Sequence, residues 1–165
     1  MELAERKPNR LGEYDYSTNG AYFITVCTQD RCKILSQIVG GGALDAPMIQ
    51  LTDAGKIVEK YILSSNRIPG ITIDKFIIMP DHIHMIVQVD ETAANGTSRA
   101  PSPTNATIPH LVSTFKRFCH REIGAPIFQR SYYDHVIRNQ RDYDEIWQYI
   151  ENNPRKWFLE KHDLL

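Results

Sequence analysis

The chain has 165 residues, of which 42% are hydrophobic and 24% are charged, and its formal net charge is −1. This composition predicts one folded domain (1–165), and the near-zero charge gives no overall indication of a nucleic-acid partner. Because the sequence has neither a run of about 18 apolar residues nor an apolar leader, we expect no membrane span and no secretion. The three cysteines are odd in number and form no CxxC pair, which is typical of a cytoplasmic protein with reduced thiols.

The first half of the chain predicts two strands and one helix. The β-branched and aromatic stretch AYFITVCTQ (21–29) is typical of a strand, and MIQL (48–51) follows a glycine-rich turn as a short strand. The sequence TDAGKIVEKYIL (52–63) places its apolar residues at helical spacing, and Thr52 suits the N-cap position because its hydroxyl can accept a bond from the first turn.

A β-hairpin is predicted next. The stretches ITIDKFIIM (71–79) and HIHMIVQV (82–89) have strand composition, and Pro80–Asp81 between them is typical of a turn. Residues 90–107 then contain no aromatic and no large aliphatic side chain, so they cannot bury enough surface to offset the entropy lost on ordering. We therefore expect 90–107 to be a flexible insertion that interrupts the domain without dividing it.

The last third of the chain predicts a helix, a strand and a second helix. An amphipathic stripe runs through 108–122, the strand follows at 131–138, and the last helix spans 140–153. Asn139 suits the N-cap of that helix, and Pro154 is expected to end it. The element order β-α-β-β-α-β-α predicts an α+β fold, a ferredoxin-like sandwich with a central antiparallel sheet.

Two histidines begin the strand 82–89. Since successive side chains of a strand point to opposite faces, His82 and His84 share one face, while the odd-numbered residues form a wholly apolar face that must cover the core. The two Cβ atoms are then about 6.5–7 Å apart, which suits two ligands of one metal ion. The alternative is a pair of half-exposed polar residues, and a metal site would in any case require a further ligand.

The last helix offers that ligand. Asp142, Ile146, Tyr149 and Asn153 recur at spacings of four, three and four, so they form one stripe. If the helix packs near the histidines, Asn153 can complete the metal shell and Tyr149 can aim its hydroxyl at a bound group. Each residue also has a structural interpretation, Tyr149 as a packing aromatic and Asn153 as a capping residue ahead of Pro154.

Two clusters of cationic side chains are candidate phosphate contacts, although a basic helix face is usually just solvated. One lies on the polar side of the helix 108–122 and the other in the N-terminal arm (1–20). They consist of Lys116, Arg117 and Arg121, and of Arg6, Lys7 and Arg10.

Taken together, the stretches MPDHIHMIV and FQRSYYDHVIRNQRDYDEIWQYIENNPRKW resemble the single-tyrosine HUH transposases of the IS200-like type, with the pattern of the REP-associated tyrosine transposases. The resemblance begins at YDYSTNGAYFITVCTQDR (14–31) and is weakest in 90–107. It implies that His82 and His84 bind the metal, that Asn153 completes the metal site, and that Tyr149 is the catalytic nucleophile.

The resemblance further implies a homodimer that uses Mg²⁺ or Mn²⁺ to cleave and rejoin single-stranded, hairpin-forming DNA through a 5′-phosphotyrosine intermediate. The N-terminal arm would help to recognise palindromic repeats, Lys116, Arg117 and Arg121 would hold phosphates, and Tyr132 or Tyr133 would stack on bases. Three alternatives share parts of this pattern: a replication-initiator or relaxase-like nickase, a non-catalytic palindrome-binding regulator, and a plain metal-dependent hydrolase.

Overall fold

A computed structural model of the protein describes residues 19–40, 46–90 and 107–161. Nearly all of the predicted N-terminal arm and of the predicted insertion lies outside these residues. The strands are β1 (Gly20–Cys27), β2 (Ser36–Val39), β3 (Met48–Leu51), β4 (Ile71–Ile78), β5 (His82–Val89) and β6 (Tyr133–Ile137), and the helices are α1 (Asp53–Ser64), α2 (Thr107–Ile123) and α3 (Gln140–Lys161). Among the helices of the described ranges, none combines the length and apolar character that a membrane span requires.

The central sheet confirms the predicted fold class. Its strand order is β4-β5-β1-β6, and every neighbouring pair is antiparallel. With α1 between β1 and β4 and α2 between β5 and β6, this is the ferredoxin-like arrangement. The hairpin of β2 and β3 is inserted after β1 as a separate two-stranded sheet.

The main core lies between α1, α2 and one face of the central sheet, which we call the core face. The odd-numbered residues of β5 are buried there, as their apolar character predicts, together with Ile24 of β1 and with Val58 and Phe115 of the two helices. Burying an aliphatic or aromatic side chain of this size stabilises the fold by about 1.5–3 kcal/mol. This packing fixes the register of β5 and thereby sends His82 and His84 to the opposite face.

Helix α3 covers that opposite face, which we call the histidine face. Ile150 of α3 is fully buried against Phe23 of β1 and Ile86 of β5, and Ile146 and Trp147 pack around them. The histidines are therefore not half-exposed residues on an open sheet, because 7% of His82 and 5% of His84 remains accessible to solvent.

Both predicted helix caps are confirmed. The Thr52 hydroxyl accepts a hydrogen bond from the Gly55 amide at 3.1 Å. The Asn139 side chain accepts one from the Asp142 amide at 2.9 Å, so the first turn of α3 is held at the edge of β6.

The expectation that Pro154 ends the last helix is wrong, because α3 continues to Lys161. A proline inside a helix removes one backbone hydrogen bond and costs about 3 kcal/mol or more. Here Asn153 and Pro154 are both buried, and Trp157 packs beyond them at 6.1 Å from the His82 ring, so tertiary contacts hold the following turns in place. Asn153 therefore lies in the interior of α3 and does not cap its end.

Candidate active site

The two histidines lie where β5 begins, directly after the Pro80–Asp81 turn. In the sheet, His82 is paired with Cys27 and His84 with Thr25, both from the central strand β1. The centroids of the two imidazole rings are 4.5 Å apart. The alternation of β5 thus brings the two rings together beneath α3, as predicted.

Each imidazole is oriented through its Nδ1 atom. His82 Nδ1 lies 2.5 Å from a carboxylate oxygen of Asp81, and His84 Nδ1 lies 2.8 Å from the Thr25 hydroxyl. Both Nε2 atoms are therefore the ones left for a ligand, and His84 Nε2 is buried without a hydrogen-bond partner among the described residues. Such a nitrogen costs about 1–3 kcal/mol when nothing binds it, and this is the arrangement in which histidines bind metals.

Burial also sets the charge of both imidazoles. It lowers the pKa of His84 to about 3, and the electrostatic effects of the neighbouring His82 and Arg31 act in the same direction. Burial lowers the pKa of His82 as well, against the opposing effect of the hydrogen bond and charge of Asp81. Both rings are therefore neutral near pH 7, and the neutral imidazole is the form that binds a metal ion.

Helix α3 brings the predicted tyrosine and asparagine to the histidines. The Tyr149 ring lies 5.2 Å from the His84 ring and meets Phe23 edge-on at 6.0 Å, while 44% of the residue stays exposed. Asn153, one turn further on, is buried and lines the same cavity. Tyr149 is thus accessible to a large substrate, whereas Asn153 lies deeper in the site.

These groups share one open cavity of about 550 Å³. Its remaining lining combines cationic, aromatic and polar side chains: Thr25, Cys27, Arg31, Gln129, Lys156, Trp157 and Glu160. Sequence reasoning did not find Arg31 or Trp157. Trp157 was missed because the helix was expected to end at Pro154, and no sequence pattern distinguishes Arg31 from any other arginine after a strand.

The donor set fits a divalent cation only if Asn153 takes part. The described residues contain no group of three or more His, Cys, Asp or Glu side chains that could hold a metal ion. Two imidazole nitrogens and the amide oxygen of Asn153 are the groups of this cavity that could hold such an ion. Imidazole ligands suit Mn²⁺ better than Mg²⁺.

The predicted basic cluster on α2 is not part of this cavity, because α2 packs on the core face and the sheet lies between. The expectation that Lys116 is on the solvated side of the helix is wrong: it is buried and donates hydrogen bonds to the carbonyls of Gln129, Arg130 and Ser131. Arg117 and Arg121 are exposed and lie over the Phe118 ring at 5.5 and 5.0 Å. Their contact with DNA stays a prediction.

The two candidate stacking residues differ in position. Tyr133 is paired with Thr25, so it lies on the histidine face, and it is 52% exposed. Tyr132 packs against the main core, with the Lys116 ammonium 5.7 Å from its ring. The structure therefore places Tyr133, and not Tyr132, on the side of the sheet that bears the site. Arg6, Lys7 and Arg10 lie outside the described residues.

Comparisons with known proteins agree on one family. The sequence model of the family described as "Transposase IS200 like" matches residues 16–153. A Haemophilus influenzae protein described only as uncharacterized is 31% identical over 171 residues, which cover 94% of this chain and 91% of that protein. A second protein of H. influenzae, provisionally named a REP-associated tyrosine transposase, is 29% identical over 86% of this chain and 74% of its own length.

The fold is shared with a solved structure. It is a REP-associated tyrosine transposase bound to a REP hairpin, which aligns with a TM-score of 0.61 and 22% sequence identity over 94% of this chain and 74% of that one.

Proposed function

The chain belongs to the IS200-like transposase family, and from this premise we propose that it cleaves and rejoins single-stranded DNA through a phosphotyrosine link formed by Tyr149. The observation that carries the proposal is that Tyr149 and Asn153 of α3 line the same cavity as His82 and His84 of β5. A nucleophile and a metal-binding set on two different elements, brought to one site, are what this chemistry requires.

His82, His84 and Asn153 would hold the divalent cation, Mg²⁺ or Mn²⁺. When bound there, the cation polarises a non-bridging oxygen of a phosphate and stabilises the charge that develops in the transition state. Asp81 and Thr25 each contact the Nδ1 atom of one histidine, so that both Nε2 atoms are left to bind the cation. The exposed position of Tyr149 leaves room for a DNA strand to approach.

In the proposed reaction the Tyr149 hydroxyl oxygen attacks the phosphorus and gives its proton to solvent. A bond forms between this oxygen and phosphorus, the bond from phosphorus to the 3′ oxygen breaks, and that oxygen takes up a proton as a 3′-OH. The downstream strand stays attached through its 5′-phosphate. Because no water is consumed, another 3′-OH can reverse the step and join two strands.

The proposed substrate is a single strand that folds into a hairpin, and the proposed assembly is a homodimer. The substrate proposal is supported by the shared fold with a protein bound to a REP hairpin, and by the provisional name of the H. influenzae relative. Tyr133 could stack on a base next to the cavity, since aromatic platforms bind single strands without sequence preference. Recognition of palindromes by Arg6, Lys7 and Arg10 belongs to the same proposal.

The test uses a pool of hairpin oligonucleotides with randomised flanks and a fluorescent label at the 3′ end, so that the label stays with the strand bound to protein. With Mn²⁺, wild-type protein should give a covalent labelled band on a denaturing gel, and Tyr149→Phe should give none while still binding the pool. Tyr61→Phe, on α1 at the core face, is the matched control and should retain the band.

An adduct that persists in Tyr149→Phe would show that another residue is the nucleophile. Cut strands without any adduct would identify a metal-dependent hydrolase, and binding without cutting would identify a DNA-binding regulator.

A further inference from the structure

Arg31 lies in a short turn after β1 and lines the cavity next to Cys27 and His82. Its Nη1 atom donates to Cys27 Sγ at 2.9 Å, and its Nε atom lies 3.6 Å from a carboxylate oxygen of Asp81. Among the described residues, the Nη2 atom has no hydrogen-bond partner. Cys27 and Asp81 hold the guanidinium on one side, and because 53% of the side chain is exposed, its other side is open to the cavity.

The same Asp81 carboxylate binds Arg31 through one oxygen and His82 through the other. The arginine is therefore coupled to the metal-binding pair through one shared, buried acid. The Arg31 guanidinium would add to the positive electrostatic potential that a bound metal ion creates in the cavity, and it would not compete with the ion for His82 and His84.

The turn after β1 is held by hydrogen bonds that do not involve the Arg31 side chain. The Thr28 amide donates to the Asp81 carbonyl at 2.9 Å, and the Thr28 hydroxyl is within 2.9 Å of the same carbonyl and of the Cys32 carbonyl. The Thr28 amide and hydroxyl thus fasten the turn after β1 to the turn before β5. The guanidinium is therefore available to bind a group in the cavity.

The backbone is strained to put the arginine there. Asp30 and Arg31 have φ values of 51° and 55°, the left-handed region that costs an ordinary residue about 1–2 kcal/mol. Two such residues in succession persist only where the surroundings impose them, and they concentrate at functional sites. The other cation that lines the cavity, Lys156, is instead 3.8 Å from Glu160 on the next turn of α3.

We propose that Arg31 binds the scissile phosphate in the cavity and stabilises the negative charge that accumulates on its oxygens during attack by Tyr149. The inference rests on the proposed function. A guanidinium presents parallel N–H donors that match two phosphate oxygens, and this geometry is why arginine serves in phosphoryl transfer. Asp81 is the residue that positions it, and the same carboxylate then couples phosphate binding to the orientation of His82.

The first measurement is the rate of adduct formation by the full chain at saturating Mn²⁺ and hairpin pool. Arg31→Ala should slow this rate by about 100-fold, the usual effect of removing one preorganised donor to a transition-state oxyanion. Arg31→Lys should recover part of it, since it keeps the charge but not the paired donors. Arg67→Ala is the control, because Arg67 precedes β4 at the opposite end of the sheet, about 20 Å from His82 by strand rise.

Two further readouts separate phosphate binding from a structural role. The affinity for Mn²⁺ alone, measured by calorimetry, should not fall in Arg31→Ala, because removing a nearby positive charge does not weaken the binding of a cation. In a Tyr149→Phe background, the slope of log binding constant against log salt concentration should fall by about 0.7 when Arg31 is removed, the value expected when the protein neutralises one phosphate fewer on a single strand. The same slope should be unchanged in Arg67→Ala.

An unchanged adduct rate in Arg31→Ala would overturn the inference. So would a loss of Mn²⁺ affinity that parallels the loss of rate, because the residue would then act only through Asp81 on His82. Absence of any adduct with wild-type protein would instead contradict the proposed function, and the salt slope would then decide on Arg31 by itself, an unchanged slope overturning the inference.

Discussion

Thr25 determines which nitrogen of His84 can bind a ligand, because its hydroxyl lies 2.8 Å from His84 Nδ1. For Nε2 to present a lone pair, Nδ1 must carry the ring proton and donate a hydrogen bond to the threonine oxygen. The Nε2 atom is then the buried nitrogen that has no partner among the described residues. Thr25 and Asp81 thus each contact the Nδ1 atom of one histidine.

Thr25→Val tests this role without changing the size of the side chain. The substitution removes the acceptor from Nδ1, so the His84 ring loses its fixed tautomer and orientation, and the Mn²⁺ affinity should fall by about 10- to 100-fold. Calorimetric titration with Mn²⁺ measures it. Thr72→Val, an exposed position of β4, is the matched control and should bind Mn²⁺ as wild type does. Equal affinities in the two variants would show that Thr25 does not orient the ligand.

At the scale of single residues, the sequence predicts the two histidines better than the residues that orient them, Thr25 and Asp81. Strand alternation is a local property, so the shared face of His82 and His84 could be predicted from the strand 82–89 alone. The pairing of Thr25 with His84 depends on the register between β1 and β5, which are separated by more than fifty residues. The bond from Asp81 to its neighbour His82 depends in turn on the shape of the turn before β5.

At the scale of elements, α3 is fastened across the sheet by three polar contacts. The Asp142 carboxylate lies 2.9 Å from His135 Nε2 on β6, the Tyr143 hydroxyl donates to Asp74 on β4 at 3.0 Å, and Glu151 lies 3.5 Å from Lys75, also on β4. These contacts reach both edge strands of the sheet, so they fix the direction of the helix. That direction sets Tyr149 and Asn153 over the histidines.

The contact of Tyr143 with Asp74 predicts a pH dependence. Burial and this hydrogen bond raise the pKa of Tyr143 to about 12, so the folded state holds the phenol proton more tightly than the unfolded chain. The stabilisation is therefore fully present below about pH 10, the ordinary value for a phenol, and is lost as the pH rises toward 12.

Tyr143→Phe should lower the free energy of unfolding by about 1 kcal/mol at pH 8, the net value of one hydrogen bond, and the difference from wild type should shrink between pH 10 and about 12. Urea unfolding followed by circular dichroism at several pH values measures it. Tyr133→Phe removes an exposed hydroxyl and should leave the free energy of unfolding at pH 8 close to that of wild type. A deficit for Tyr143→Phe that stays constant up to pH 12 would mean that the phenol is not the titrating donor.

Two predictions from local sequence patterns are wrong because contacts with distant parts of the chain outweigh the local preference. Pro154 ordinarily ends a helix, but the packing of Trp157 near His82 keeps α3 helical beyond it. Lys116 falls on the polar side of an amphipathic stripe, but three carbonyls from the segment before β6 bind its ammonium and draw it into the protein. Neither set of partners can be read from the helix that carries the residue, because both belong to elements elsewhere in the chain.

At the scale of the whole molecule, the two faces of the sheet carry unequal apolar cores. The core face buries residues of α1, α2 and three strands, whereas the buried residues of the cluster on the histidine face are Phe23, Ile86 and Ile150 in the described part of the chain. A segment held by few buried contacts opens at lower free energy than one in the main core. The half of the site that lies on α3 is therefore held less firmly than the half that lies on β5.

Two probes already present in the sequence distinguish these halves. Both tryptophans of the chain, Trp147 and Trp157, are on α3. Cys119 of α2 is fully buried in the main core, and burial raises its pKa to about 12, so its thiol should react with a maleimide only after the main core opens.

We expect tryptophan fluorescence to change at a lower urea concentration than that at which Cys119 becomes reactive. Undocking of α3 would remove Tyr149 and Asn153 from the cavity while His82 and His84 stay in the sheet. Ile150→Ala, which leaves a cavity under α3, should shift the fluorescence midpoint to lower urea and leave that of Cys119 labelling nearly in place. Val58→Ala in the main core should lower the labelling midpoint instead. Midpoints that coincide in all three proteins would show that the two faces unfold as one cooperative unit and that α3 has no independent motion.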